Sequence, residues 1–141
     1  DVYKRQHLCW GNYPGPHHCD VAIGEIIDLV WQARPQTVLF EAANPRHAHE
    51  WEVFKSTPVP DDKILCPGVI ECQSNYIEHP ELVAQRIERY AGLVGRERVM
   101  AGVDCGFSIH VGMQGIDPDV AWAKLAALAE GAAIATDRLW A

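Results

Sequence analysis

The chain has 141 residues, 48 % of them hydrophobic, with 19 acidic against 12 basic side chains and a formal charge of −7. That balance excludes a disordered or low-complexity segment. It also supplies no basic patch for nucleic acid or an anionic membrane, so small molecules are the expected partners. No apolar run reaches the roughly 20 residues that span a bilayer. The five cysteines lack the regular spacing of a disulfide scaffold, which fits a reducing compartment and makes the cytoplasm the expected location.

Residues 1–6 (DVYKRQ) form a polar hexamer that fits no element after it and resembles a translated cloning adapter. They are set apart as a non-native leader, and residues 7–141 are taken as one unit, expected to be a fragment with preceding sequence cut away. Four short apolar runs follow, at 7–10, 37–43, 64–70 and 99–103, spaced about 30 residues apart, the length of one strand-plus-helix unit. The first connecting helix is expected to be capped by Asp20 and to carry Ile23, Ile26, Ile27 and Val30 on one face. A shorter helix is expected over 45–54. The third opens at His79-Pro80, lines up Val83, Ile87, Tyr90 and Val94, and stops at Gly95. The last starts at Asp117-Pro118, is rich in alanine, and has Leu125, Leu128 and Ala132 in register, so it is expected to pack on two neighbours.

Continuous apolar strand cores separated by helices describe a parallel α/β sheet covered on both faces. An open doubly wound sheet would carry a G-x-G-x-x-G turn after a strand, and the chain has none. The expected fold is therefore the C-terminal half, about four βα units, of a (β/α)8 TIM barrel.

Barrel chemistry sits where strands turn polar at their C-terminal ends. Those ends offer His7 and Cys9, then Glu41, then a Pro-Gly turn with Glu71 and Cys72 behind it, then Asp104 and Cys105. An i, i+2 spacing points His7 and Cys9 to the same side of a strand. Two thiolates, an imidazole and a carboxylate make a sound tetrahedral zinc set, so His7, Cys9, Glu41 and Cys105 are the candidate ligands and Zn2+ the expected cofactor. Glu41 has a second reading, as acceptor for the other N–H of His7. Asp104 is a candidate catalytic residue with Glu41, and equally a candidate for a structural hydrogen bond. Asn44 and His110 are candidates for contacting a substrate. Cys66 reads as a small buried hydrophobe, and Cys72 as either inert or close to the mouth. His17, His18 and Cys19 lie in a Pro-Gly loop and read as capping or solvated. His47 and His49 point to different helix faces, which argues against a second metal site. Trp10 and Trp51 read as packing.

His-Leu-Cys-Trp at 7–10, Leu-Phe-Glu ending at Glu41, Cys-Pro-Gly-Val-Ile at 66–70 and Val-Asp-Cys-Gly at 103–106 resemble, in order and spacing, the C-terminal catalytic barrel of cobalamin-independent methionine synthase. The resemblance runs from Gln6 to Trp140. It implies His7, Cys9, Glu41 and Cys105 as zinc ligands and methyl transfer from 5-methyltetrahydrofolate to the thiolate of homocysteine. The same pattern is similar to the epoxyalkane:coenzyme M transferases, which implies alkyl transfer involving coenzyme M instead, and corrinoid-linked thiol methyltransferases share the His-x-Cys and the late Cys. Trp10-Gly11-Asn12 and Phe107-Ser108-Ile109-His110 depart from the methionine synthase pattern. The implied partners are a thiol and an alkyl donor, with a homo-oligomer left open. Two other functional classes stand beside the enzyme: a saturated structural zinc domain, and a metal-free barrel of the uroporphyrinogen decarboxylase type.

Overall fold

The computed structural model describes residues 4–112 and 115–141; residues 1–3 of the hexamer set apart above lie outside the described residues. Four strands, β1 (Arg5–Leu8), β2 (Thr37–Phe40), β3 (Ile64–Ile70) and β4 (Gly102–Val103), pair in parallel in the order β1-β2-β3-β4. Sequential order with every pair parallel, and helices between, is the winding of half a (β/α)8 barrel. β1 begins two residues inside the hexamer, with Arg5 opposite Thr37 and Gln6 opposite Val38. The apolar run at 99–103 lies along β3, yet only its end is laddered: Val99 bridges Leu65 by itself, and the β3–β4 register shifts between Gly68 and Ile70.

Four helices cover one face of the sheet: α1 (Ile23–Trp31), the single turn α2 (Val53–Ser56), α3 (Pro80–Val94) and α4 (Pro118–Trp140). Beneath them one cluster joins Ile23, Ile27 and Val30 of α1 to Val38 and Phe40 of β2 and Tyr90 of α3. A second joins Val69 and Ile70 of β3 to Val83 and Ile87 of α3 and Ala135 of α4. The opposite, concave face encloses about 430 Å³ bounded by His7, Leu39, Cys66, Gly102 and Cys105.

α3 follows its sequence signals closely: the His79 ring accepts the Glu81 N–H, Pro80 opens the helix, and Gly95 ends it at φ 89°. α1 starts later than expected and is not capped by Asp20. Its first N–H, on Ile23, is instead satisfied at 2.8 Å by the Glu50 carboxylate from the next βα unit. The stretch at 45–54 is mostly turns and one 3-10 turn, with α2 only at its end. α4 packs on α3 and β3 as expected of a helix with two neighbours. Its most buried side is Lys124, Ala127, Gly131 and Ala135, while Leu128 and Ala132 of the expected register pack half-buried against the second cluster. Gly131 decides this, because any side chain there would overlap Val83 and the Pro80 carbonyl of α3. Lys124, fully buried, donates to the Glu71 carbonyl at 3.0 Å and to Glu78 at 2.9 Å, which pins the loop after β3.

Candidate metal centre

The sheet curls far enough that the ends of its two outermost strands meet. His7 on β1, Cys9 just past it and Cys105 just past β4 each bring one ligand atom within 4.8 Å of the others. The Cys9 and Cys105 sulfurs are 3.8 Å apart. Two sulfurs bound at about 2.3 Å in a tetrahedral shell would stand about 3.8 Å apart, so the spacing fits one shared zinc ion. Soft thiolates with an imidazole also suit zinc and not a hard cation. Burial pushes the Cys9 thiol up to about 11; the Gly11 N–H pulls it back, while Cys105 and Glu41 push it further. With no cation beside it, the sulfur keeps its proton at neutral pH.

Glu41 does not join this cluster. It is 2 % exposed, and its oxygens are taken by the Trp10 N–H at 3.0 Å, the Asn44 side-chain amide at 2.8 Å and Arg46 at 3.5 Å. Asp104, 1 % exposed, turns away from the mouth. One oxygen accepts the N–H groups of Ala42 and Ala43, the other the backbone and side-chain N–H groups of Asn44, all at 2.8–3.0 Å. Burial pushes the Asp104 carboxyl above its ordinary range against the pull of these donors. The structural hydrogen bond is the reading the geometry takes, and it ties the end of β4, next to Cys105, to the end of β2.

That tie has to cross β3. It crosses at Gly68, where a methyl group would overlap the Asp104 carboxylate and its backbone. Pro67-Gly68 is accordingly not a turn after the strand; it lies inside β3, opposite Phe40 and Gly102. A glycine within an apolar strand signals close approach of other chain atoms, and that signal was available in the sequence. Asn44 is 3 % exposed and occupied by Glu41 and Asp104, so it has nothing left for a substrate. His110 is exposed in the loop after β4. Cys66 and Cys72 are both buried outside the three-residue cluster, and burial drives the Cys72 thiol up to about 12.

The loop after β1 is strapped down by histidines that hold no metal group among the described residues. His17 bridges the Tyr13 carbonyl and Asp20, while His18 and Cys19 are exposed. His47, buried, pairs with Glu50 at 2.8 Å and Asp20 at 3.3 Å and stacks on Trp10 at 4.0 Å. Trp51 packs under Lys55 and Arg89. Burial acts to lower the His47 pKa, but Glu50, Asp20 and the more distant Glu41 outweigh it and hold it above 6.5. Burial acts to raise Asp20, but His17, His47 and Arg46 hold it below 3.8. His47 therefore stabilises the fold fully below about pH 6.5 and loses that contribution as pH rises through its raised value; Asp20 contributes above about pH 3.8 and loses its share below. The strap is expected to be firmest between those limits. Thermal melting of wild type and His47→Gln across pH 5–9 checks this, and an equally steep alkaline loss in both proteins would refute it.

The chain is a parallel half-barrel with two thiols and an imidazole gathered at its strand ends, a group that could hold a metal ion. No family model matches the chain. It is 29 % identical to 2-hydroxypropyl-CoM lyase of Xanthobacter autotrophicus, over 91 % of this chain and 39 % of that protein. Its fold matches a B12-independent methionine synthase from Shewanella sp. W3-18-1, solved in complex with selenomethionine, with a TM-score of 0.68 and 20 % identity, over 96 % of this chain and 39 % of that one. The chain thus spans about two fifths of the length of either relative, and both relatives are enzymes. The chain is thus similar in sequence to the first of these proteins and in fold to the second.

Proposed function

We propose that this chain forms the metal-holding part of a zinc-dependent enzyme that transfers an alkyl group at a thiol sulfur. The observation that carries the proposal is the 3.8 Å separation of Cys9 and Cys105, with His7 in the same cluster. His7, Cys9 and Cys105 would hold the ion. Zinc, when bound, supplies a Lewis acid beside which an incoming thiol loses its proton at neutral pH. The chain's own part would be to hold both sulfurs and the imidazole together, through the Asp104 tie and the His47 strap, at the edge of the concave side that a thiol could enter.

Within that class, the order of the four motifs and the methionine synthase fold support methyl transfer from 5-methyltetrahydrofolate to homocysteine. A second reading, thioether chemistry of coenzyme M, is favoured by the sequence match to 2-hydroxypropyl-CoM lyase and by the departures after Cys9 and Cys105. The proposed setting is the reducing cytoplasm, with a small-molecule thiol and alkyl donor as partners, no nucleic acid or membrane, and a homo-oligomer compatible with it. No helix among the described residues is long and apolar enough to cross a membrane.

Titrating the cobalt-substituted chain with homocysteine and, separately, with 2-mercaptoethanesulfonate tests the proposal. A shift of the visible bands with either thiol is expected, and the stronger responder names the acceptor. Bands indifferent to both thiols would mean a saturated structural site and sink the enzyme reading; a chain that takes up no metal would point to the metal-free alternative.

A further inference from the structure

A second, smaller cavity adjoins the thiol cluster where the loops after β1, β3 and β4 meet. It encloses about 70 Å³ between Asn12 and Pro14 of the first loop, Cys72 and Gln73 of the second, and Phe107 and Ile109 of the third. Among the described residues, no charged side chain lines it. The Asn12 amide nitrogen donates to the Gly106 carbonyl, next to Cys105, at 2.7 Å and to the Ser108 carbonyl at 3.2 Å, which latches the first loop to the third and leaves the amide oxygen uncommitted. The Cys105 N–H lies against the Cys72 thiol. Gln73 is anchored through its backbone. Its N–H is accepted by the Glu71 carboxylate, which also takes the Ser74 N–H at 3.0 Å and the Ser74 hydroxyl at 2.6 Å. The Glu71 N–H is held in turn by Glu78, the partner of buried Lys124. At the end of these anchors the Gln73 side-chain amide, half-buried at the cavity wall, has no hydrogen-bond partner among the described residues. A placed but unpaired amide beside apolar walls is how ligand cavities fix orientation.

Size and charge limit what can enter. The volume is roughly five times what one water needs, room for a group of about five non-hydrogen atoms. A carboxylate, sulfonate or ammonium would stand there with no opposite charge beside it. Pro14, Phe107 and Ile109 suit a short aliphatic chain, and a hydroxyl on that chain can donate to the Asn12 oxygen and accept from the Gln73 amide at once. We propose that this cavity receives the alkyl group carried on the substrate sulfur, that the group is a short uncharged chain bearing a hydroxyl, and that Gln73 is the residue that selects for the hydroxyl. This rests on the zinc-thiol reading given above and deepens it, by naming the class of alkyl group and the place it occupies. A methyl group alone would leave most of the cavity unfilled, and the charged tail of the thiol lies outside it.

The test is calorimetric titration of the full 141-residue chain, loaded with zinc, with thioethers of 2-mercaptoethanesulfonate and of homocysteine. Each thiol is offered as its S-(2-hydroxyethyl) and S-propyl derivatives, which match in size and differ by a hydroxyl in place of a methyl. Wild type is expected to bind the hydroxyethyl form of its preferred thiol about five- to tenfold more tightly, the scale of one ordinary hydrogen bond. The S-octyl derivative overfills the cavity and is expected to bind more weakly than the propyl form, by about tenfold or more. Gln73→Leu is expected to abolish the hydroxyl preference while binding the propyl form at least as well as wild type, a split that misfolding would not produce. If leucine disturbs the loop, the unbranched Gln73→Met carries the same comparison. The inference is overturned if wild type does not prefer the hydroxyethyl form, if a folded variant keeps the preference, or if the octyl form binds as well as the propyl. Cobalt-substituted wild type reports on the zinc-thiol reading separately. Bands indifferent to the free thiols sink that reading and the inference with it, whereas bands that shift, alongside no hydroxyl preference, sink the inference alone.

Discussion

Cys105→Ser is expected to fold and to lose most of its bound zinc, whereas Cys66→Ser keeps it. Cys105 is one of the three residues proposed to hold the ion, and a serine hydroxyl does not ionise near neutral pH or match the softness of a thiolate. The loss of zinc affinity should exceed about 100-fold, the upper end of what changes outside the first ring of ligands cost. Cys66 lies on the same concave side one strand away, but it is 3 % exposed and outside the group whose ligand atoms come within 4.8 Å of one another. Its replacement should cost only about 1 kcal/mol for seating a hydroxyl in an apolar place. Metal content after equilibration against a chelator of known affinity separates the two. Equal zinc in both variants would show that Cys105 is not a ligand, and with it the shared-ion geometry would fall.

The parts of the fold that could be read from the sequence are those whose cause is local. The spacing of apolar runs, the Pro80 start and Gly95 stop of α3, and the polar residue at each strand end are all short-range signals, and they sufficed to bring His7, Cys9 and Cys105 together on paper. The parts that could not be read depend on hydrogen bonds between distant segments. Asp20 has the right residue type to cap α1, but Glu50, 27 positions from the Ile23 N–H, takes that duty and frees Asp20 for two histidines. Asn44 was expected to face a substrate because it follows a strand, yet Asp104, 60 positions away, claims it. The leucines of α4 were the natural stripe by hydrophobicity, but close approach to α3 favours the side with Gly131. In each case a buried polar group or a steric limit outranked a propensity that is worth less.

Asp104→Ala is the substitution expected to harm the fold most. The carboxylate gathers four N–H donors at 2.8–3.0 Å from residues 42 to 44, and alanine leaves all of them buried without an acceptor. Each orphaned donor costs about 1–3 kcal/mol. Some would be relieved by a water entering the space left by the carboxylate, so a total of about 3–5 kcal/mol is expected, the range found when one partner of a buried charged network is removed. Leucine would be no remedy, since the passage over Gly68 is narrow and the donors would still lack a partner. The functional damage follows from the same tie, because without it the end of β4 loses its anchor on the end of β2, and Cys105 is held beside Cys9 by packing and by the Asn12 amide, which reaches the Gly106 and Ser108 carbonyls. Zinc affinity should fall by about 10- to 100-fold even in conditions where the variant is folded. Denaturant unfolding should be measured without metal, because bound zinc would add its own stabilisation to wild type and exaggerate the difference. A loss below about 1 kcal/mol with unchanged zinc affinity would mean that packing, not the Asp104 carboxylate, aligns the two strand ends, since one ordinary hydrogen bond already accounts for that much.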